Sequence, residues 1–209
     1  MVKEEEIREL YTKGWTNPYD APDWMHAFHW NHQLWEPVDG EPLEATLQRY
    51  CAGFLTREPD NVILGPDGSV YMERYRIAEA REGGVDGEKI YLNHFLRGDS
   101  DEELHSHPWD SSRSLVLLNG YGEERRHTKT LTVPGLIQCR HSVVRYQRMP
   151  GDVIEINNDT FHRIDDLPHG CAWTLFFTGR YVGTWYFWNR TTGRTEQWRS
   201  FLQSRGRLN

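Results

Sequence analysis

Residues 150–166 read PGDVIEINNDTFHRIDD, a stretch that parses as turn, strand, turn and strand. Pro150 and Gly151 supply a reversal, and Val153, Ile154 and Ile156 are β-formers. Asn157, Asn158 and Asp159 supply a second reversal before His162 opens the next run. The same texture extends across the rest of the sequence. NVIL (61–64), GPDG (65–68) and SVYMERYRI (69–77) make a hairpin signature. KIYLNHFL (89–96), SLVLLNG (114–120), EERRHTKTLTV (123–133), SVVRYQR (142–148), CAWTLFFTG (171–179) and GTWYFW (183–188) follow, punctuated by Gly, Pro, Asn and Asp. Many short strands without helical spacing between them predict an antiparallel sandwich or barrel. A jelly roll is the member of that class in which two sheets close over a cavity.

Helical spacing is confined to the ends. In KEEEIRELY (3–11), Ile7, Leu10 and Tyr11 share a face, and in PLEATLQRYCAGFL (42–55) Leu43, Leu47, Tyr50, Cys51 and Phe54 do so behind Pro42. TEQWRSFLQS (195–204) predicts a last, short helix. The segment between the first two helices carries four tryptophans and several prolines, the composition of an ordered wrap rather than a linker. His26, His29 and His32 recur there every three residues, a spacing that suits either a helical metal-binding face or packing among aromatics. The expected organisation is an extension over residues 1–61, a barrel over 62–190, and a C-terminal helix with a basic tail over 191–209.

A chain of 209 residues is long enough for one sizeable core. Cys51, Cys139 and Cys171 are odd in number and contain no C-x-x-C pair, so neither a disulfide framework nor a zinc knuckle is indicated, and a reducing compartment fits. The charged N-terminal residues and the lack of any apolar run near about 18 residues point to a soluble, cytoplasmic protein without a membrane span. A net charge of −7 argues against broad nucleic-acid binding. The exception is the stretch from Arg180 onward, where Arg190, Arg194, Arg199, Arg205 and Arg207 face only Glu196; such tails are ordinarily a solvated face.

LHSHPWD, residues 104–110, supplies the chemistry. In an extended segment His105 and His107 point to one side and Ser106 to the other, so the two imidazoles can grip one metal ion. The competing reading is a surface pair stacked beside Trp109. Together with residues 150–166, this segment resembles the two signature motifs of the cupin superfamily. His105, His107 and Gly120 agree with the first motif, while Gly98 lies one residue too far upstream and Arg113 stands where a glutamate is usual. Gly151, Asn157, Asp159, His162 and Asp166 fall at the five places of the second, and the glycine and the histidine agree. The likeness spans roughly residues 90–180, and the HPW-type first motif is similar to that of small bacterial and phage cupin-like proteins.

The resemblance implies an all-β fold, the double-stranded β-helix or cupin-type jelly roll, with a mainly helical N-terminal extension and a short C-terminal helix. It implies His105, His107 and His162 as ligands of a divalent metal. Ferrous iron is the first expectation, with zinc, nickel and manganese as alternatives because ligand type alone does not select the ion. Three imidazoles without a glutamate leave open coordination positions; a mixed set with Asp110 replacing one histidine is the alternative. Metal-bound histidines usually donate their second ring nitrogen to an acceptor, and Asp110, Glu123, Glu124 and Asp159 are the acids available. His94 shares strand parity with Ile90 and Leu92, which points it to the barrel and, with Asp110, makes it a candidate catalytic residue. Arg113, with its bidentate fork, and the rings of Trp109 and Trp173 are candidate substrate contacts. In the run Trp185–Trp188, Trp185 and Phe187 cannot share a side with Tyr186 and Trp188, so one pair faces the barrel and the other the N-terminal wrap.

The expected function is a mononuclear non-haem Fe(II) oxygenase, a dioxygenase or hydroxylase, acting on a small polar molecule. The alternatives are an isomerase, lyase or hydrolase that uses the ion as a Lewis acid, and a non-catalytic cupin-like binding module. A homodimer is compatible with either.

Overall fold

Pairing between strands far apart in sequence sets the architecture. The structure, a computed structural model, describes residues 42–79, 89–133 and 136–208; the expected helix over 3–11 and His26, His29 and His32 lie outside the described residues. Helix α1 (Leu43–Phe54) is followed by β1 (Asn61–Leu64), β2 (Val70–Glu79), β3 (Lys89–Phe95), β4 (Leu104–His105), β5 (Ser111–Leu118) and β6 (Tyr121–Val133). Then come β7 (Leu136–Arg148), β8 (Val153–Asn157), β9 (His162–Asp166), β10 (Ala172–Thr178), β11 (Tyr186–Trp188), β12 (Thr195–Gln197) and helix α2 (Trp198–Ser204).

From β3 to β10 the chain is folded in half about the β6–β7 hairpin. β6 pairs with β7, β5 with β8, β4 with β9 and β3 with β10, all antiparallel. Successive pairs fall in alternate sheets, giving the orders β1-β2-β3-β10-β5-β8 and β12-β11-β4-β9-β6-β7. This nested pairing is the double-stranded β-helix, the cupin-type jelly roll expected from the sequence.

The first sheet is apolar on both faces. Toward the second sheet it presents Met72, Phe95, Val116, Ile154, Ile156 and Phe176, which meet Tyr121 and Ile164. Its other face, with Tyr75, Leu92, Leu115, Leu117, Trp173 and Leu175, is covered by Leu47, Tyr50 and Phe54 of α1. Burial on both sides accounts for the nearly unbroken apolar runs of β5 and β10, in which alternation is lost. The helix expected over 42–55 therefore belongs to the same core as the barrel. In the second sheet Trp188 packs with Leu104 and Phe161, while Tyr186 is exposed.

Glycine is needed where β5 passes into β6. Asn119 and Gly120 both have positive φ, 69° and 72°, and a Cβ on Gly120 would stand 2.2 Å from the carbonyl oxygen of Arg148. That atom is held in backbone, so it cannot swing aside. Gly120→Ala is expected to lower stability by about 2 kcal/mol or more, seen as a lower urea midpoint with an unchanged slope.

Two features of the C-terminal region differ from expectation. Thr195–Gln197 is strand rather than helix, because it pairs with β11 and the Gln197 side chain then accepts the Arg199 N–H to cap α2. The basic segment is folded onto acids of the barrel: Arg190 bonds Glu124 at 2.6 Å, Arg205 bonds Glu103 at 2.6 Å and Arg207 bonds Asp101 at 2.7 Å. The three cysteines are free thiols. Among the described residues no helix is long and apolar enough to cross a membrane.

Candidate metal centre

His105 and His162 are direct cross-strand partners on β4 and β9. Beyond β4 the backbone stays extended, because Ser106 is clamped to Tyr186. The Ser106 N–H donates to the Tyr186 carbonyl at 2.9 Å, and the Tyr186 N–H donates to Ser106 Oγ at 3.1 Å. That clamp turns Ser106 away and leaves His107 on the same side as His105. Each of the three histidines offers a ring nitrogen, and these atoms lie within 4.8 Å of one another.

The closest approach is between His107 Nε2 and His162 Nε2, at 2.8 Å. His162 Nδ1 faces Glu123 Oε1 at 2.7 Å. In a neutral ring the Nδ1–H donates to this carboxylate, and Nε2 is left as a lone pair directed at His107. Two nitrogens bound to one ion at about 2.1 Å and at right angles would stand about 3 Å apart, so the spacing suits a shared divalent cation. The all-imidazole donor set is borderline in softness, which suits iron, zinc, nickel or copper, whereas manganese, one of the ions expected, favours oxygen donors.

Glu123 has no exposed surface and is the hub behind the histidines. Besides His162 it accepts from Arg125 at 3.0 Å through Oε1 and from Arg148 at 2.6 Å through Oε2. Burial alone would raise its pKa, but the His162 hydrogen bond and the two guanidinium groups outweigh that and hold it at about 2. Burial also lowers the basicity of His105. For His107 burial comes first, the neighbouring His162 and His105 and the charge of Arg74 add to it, and the ring falls well below the ordinary range. Both rings are thus neutral at pH 7, the form that binds a metal.

The three histidines open into a cavity of about 430 Å³ between the sheets. Trp109 lines it as expected of a substrate contact, stacked on His107 with ring centroids 5.9 Å apart. Trp185 and Phe187 also face it, which resolves the alternation in that strand.

Four expected site residues are elsewhere. Ile90, Leu92 and His94 do share a face, but that face is turned to α1, whose apolar side chains need a surface to cover. His94 Nδ1 is 3.0 Å from Glu73 Oε2, and its ring stacks on Trp173 at 4.0 Å. Trp173 is for the same reason a core residue beneath α1 and not a substrate contact. Arg113 has the parity of Leu115 and Leu117, projects outward, and lies 3.7 Å from Glu155 at the surface. Asp110 is turned to Arg180 at 3.2 Å and accepts the Ser111 N–H, so it takes no part in a mixed ligand set. Of the other acids considered, Glu124 binds Arg163 and Arg190, and Asp159 is exposed.

The inward positions on these strands belong instead to Asn93 on β3, Ser114 on β5, Phe176 on β10 and Arg74 on β2. Arg74 could have been found as a charged residue sharing the parity of Met72 within a strand. Nothing local in the sequence separates the inward from the outward face of β3.

No family model matches the chain, and no curated protein matches it. Solved structures similar to it include a cupin superfamily protein from Desulfitobacterium hafniense, 15% identical, with a TM-score of 0.35 over 70% of this chain and 94% of that one. Fe(II)-HppE is 10% identical, with a TM-score of 0.37 over 58% of each chain. A mutant oxalate decarboxylase from Bacillus subtilis is 18% identical, with a TM-score of 0.36 over 74% of this chain and 36% of that one.

Proposed function

We propose that the protein is a cupin-type metalloenzyme, a mononuclear non-haem Fe(II) oxygenase acting on a small polar substrate, with His105, His107 and His162 as the ligands of the ion. The observation that carries this reading is the convergence of three ring nitrogens within 4.8 Å at the wall of a cavity between the sheets. Bound there, ferrous iron supplies the one-electron chemistry that dioxygen needs.

The chain's own residues do the rest. Glu123 fixes the tautomer and the ring orientation of His162, and burial keeps His105 and His107 unprotonated. The inward side chains of β5 are Ser112, which donates to the Ile156 carbonyl at 2.8 Å, Ser114 and Val116. That strand brings no carboxylate to the histidines, and a three-nitrogen set leaves room for both dioxygen and a substrate atom. Phe95, Ile156, Ile164 and Phe176 give the cavity an apolar wall.

The test is to load metal-free protein anaerobically with ferrous iron, add thiols, amino acids and 2-oxo acids in turn, and follow oxygen uptake on admitting air. Uptake that requires iron and one substrate, and that disappears in His162→Ala, is the expected result. Turnover without oxygen, with zinc or manganese in place of iron, would assign Lewis-acid chemistry to the same histidines.

A further inference from the structure

One arginine in the cavity has no counter-ion. Arg74, on β2, faces inward opposite Asn93, its cross-strand partner on β3. Its Nε donates to Asn93 Oδ1 at 2.9 Å, and its guanidinium lies over the ring of Tyr91 at 4.8 Å and that of Phe176 at 5.9 Å. Among the described residues no carboxylate pairs with it. Of the acids lining the cavity, Asp101 is paired with Arg207 at 2.7 and 3.0 Å, while Asp99 accepts the Ile164 N–H at 2.7 Å and pairs with no cation among the described residues.

Arg74 is half-buried and carries its charge without the compensation of an anion, a penalty that an arriving anion would relieve. The rings beneath it offset part of that penalty and hold the guanidinium in place. With Nε committed to Asn93, the terminal nitrogens remain for a ligand, and their planar fork matches the two oxygens of a carboxylate. The geometry also ties Arg74 to the histidines. The His107 ring lies 6.1 Å from the Phe176 ring and the Arg74 guanidinium 5.9 Å from it. One small molecule can therefore reach both.

We infer that the cavity takes a small organic acid, with its carboxylate held by Arg74 and its other end directed toward His105, His107 and His162. This names the substrate class for the proposed metalloenzyme and rests on that reading for what happens at the histidines, but the anion site itself does not require a metal. Arg74 is a binding residue in this scheme, and Phe176 is the floor that sets its distance from the histidines.

The experiment measures dissociation constants by calorimetry for acetate, butyrate, benzoate and succinate and for their neutral amides. It uses wild type, Arg74→Met and Arg74→Lys, each with zinc bound and each after removal of metal, with circular dichroism as the control for folding. At least one acid is expected to bind tenfold or more tightly than its amide. Arg74→Met is expected to erase that preference, and Arg74→Lys, which keeps the charge without the fork, to retain part of it. The preference should persist in metal-free protein. If no acid binds, if acid and amide bind alike, or if a folded Arg74→Met binds acids as wild type does, the inference is overturned. If the protein takes up no metal and still shows an Arg74-dependent preference for acids, the metalloenzyme reading fails and the anion site stands.

Discussion

Glu123→Ala is expected to destabilise the protein by about 3 kcal/mol and to weaken metal binding by roughly ten- to a hundredfold. The carboxylate is completely buried and serves three cations or donors at once, His162, Arg125 and Arg148. Alanine would leave two guanidinium groups, each with less than a fifth of its side-chain surface exposed, facing an emptied site, and it would free His162 to change tautomer or rotate. The pH dependence has a definite sign. Because the folded-state pKa of Glu123 is lowered from 4.5 to about 2, its contribution to stability is present above the unfolded value and is lost as pH falls from about 4.5 toward 2. Urea denaturation of metal-free protein over pH 2 to 7 should therefore show a steep acid limb in wild type and a shallower one in Glu123→Ala. Equal stability of the two proteins at pH 7 would contradict the hub assignment.

His107→Ala should abolish stoichiometric metal uptake, with affinity reduced by at least about a hundredfold, while the far-ultraviolet circular dichroism stays that of wild type. His107 lies just beyond β4 and lines the cavity without belonging to the apolar cluster between the sheets, so its loss removes a donor and leaves that cluster's members in place. The informative control is Asp110→Ala, which should keep its metal, since that carboxylate is engaged with Arg180. Metal content by mass spectrometry on matched samples decides between a three-histidine set and a mixed one. Full occupancy in His107→Ala, or loss of metal in Asp110→Ala, would reassign the ligands.

Where neighbours in sequence set the geometry, residues alone were informative. Two histidines separated by one residue share a side of an extended chain, so the pairing of His105 with His107 is legible locally, and the clamp of Ser106 to Tyr186 holds it. Gly151, with φ of 93°, and Gly120 mark reversals that side-chain-bearing residues resist. Alternating strands and turns from residue 61 onward led to the jelly roll, and the amphipathic face of 42–55 led to a helix. His162 was recognisable through its likeness to a motif, and its place opposite His105 follows from how strands nest in this fold.

Three of the four misplaced site residues share one cause. His94, Trp173 and Arg113 sit on strands of the first sheet, and strand periodicity says which residues share a face without saying which face looks inward. A sheet with one wet face would have revealed it by polarity. Here α1 covers the outer face with Leu47, Tyr50 and Phe54, so both faces are apolar and the signal cancels. Glu123 and Arg74 depend on distance in the same way. Glu123 meets His162 across 39 residues through the register of β6 and β9, and Arg74 meets Asn93 across 19 through that of β2 and β3. Covalent neighbours carry the turns, the strand alternation and the His-x-His grip. The inward face of the first sheet, the carboxylate behind His162 and the unpaired arginine exist only once α1 has docked and the strands have taken their register, because each is a contact between segments that the chain itself does not hold together.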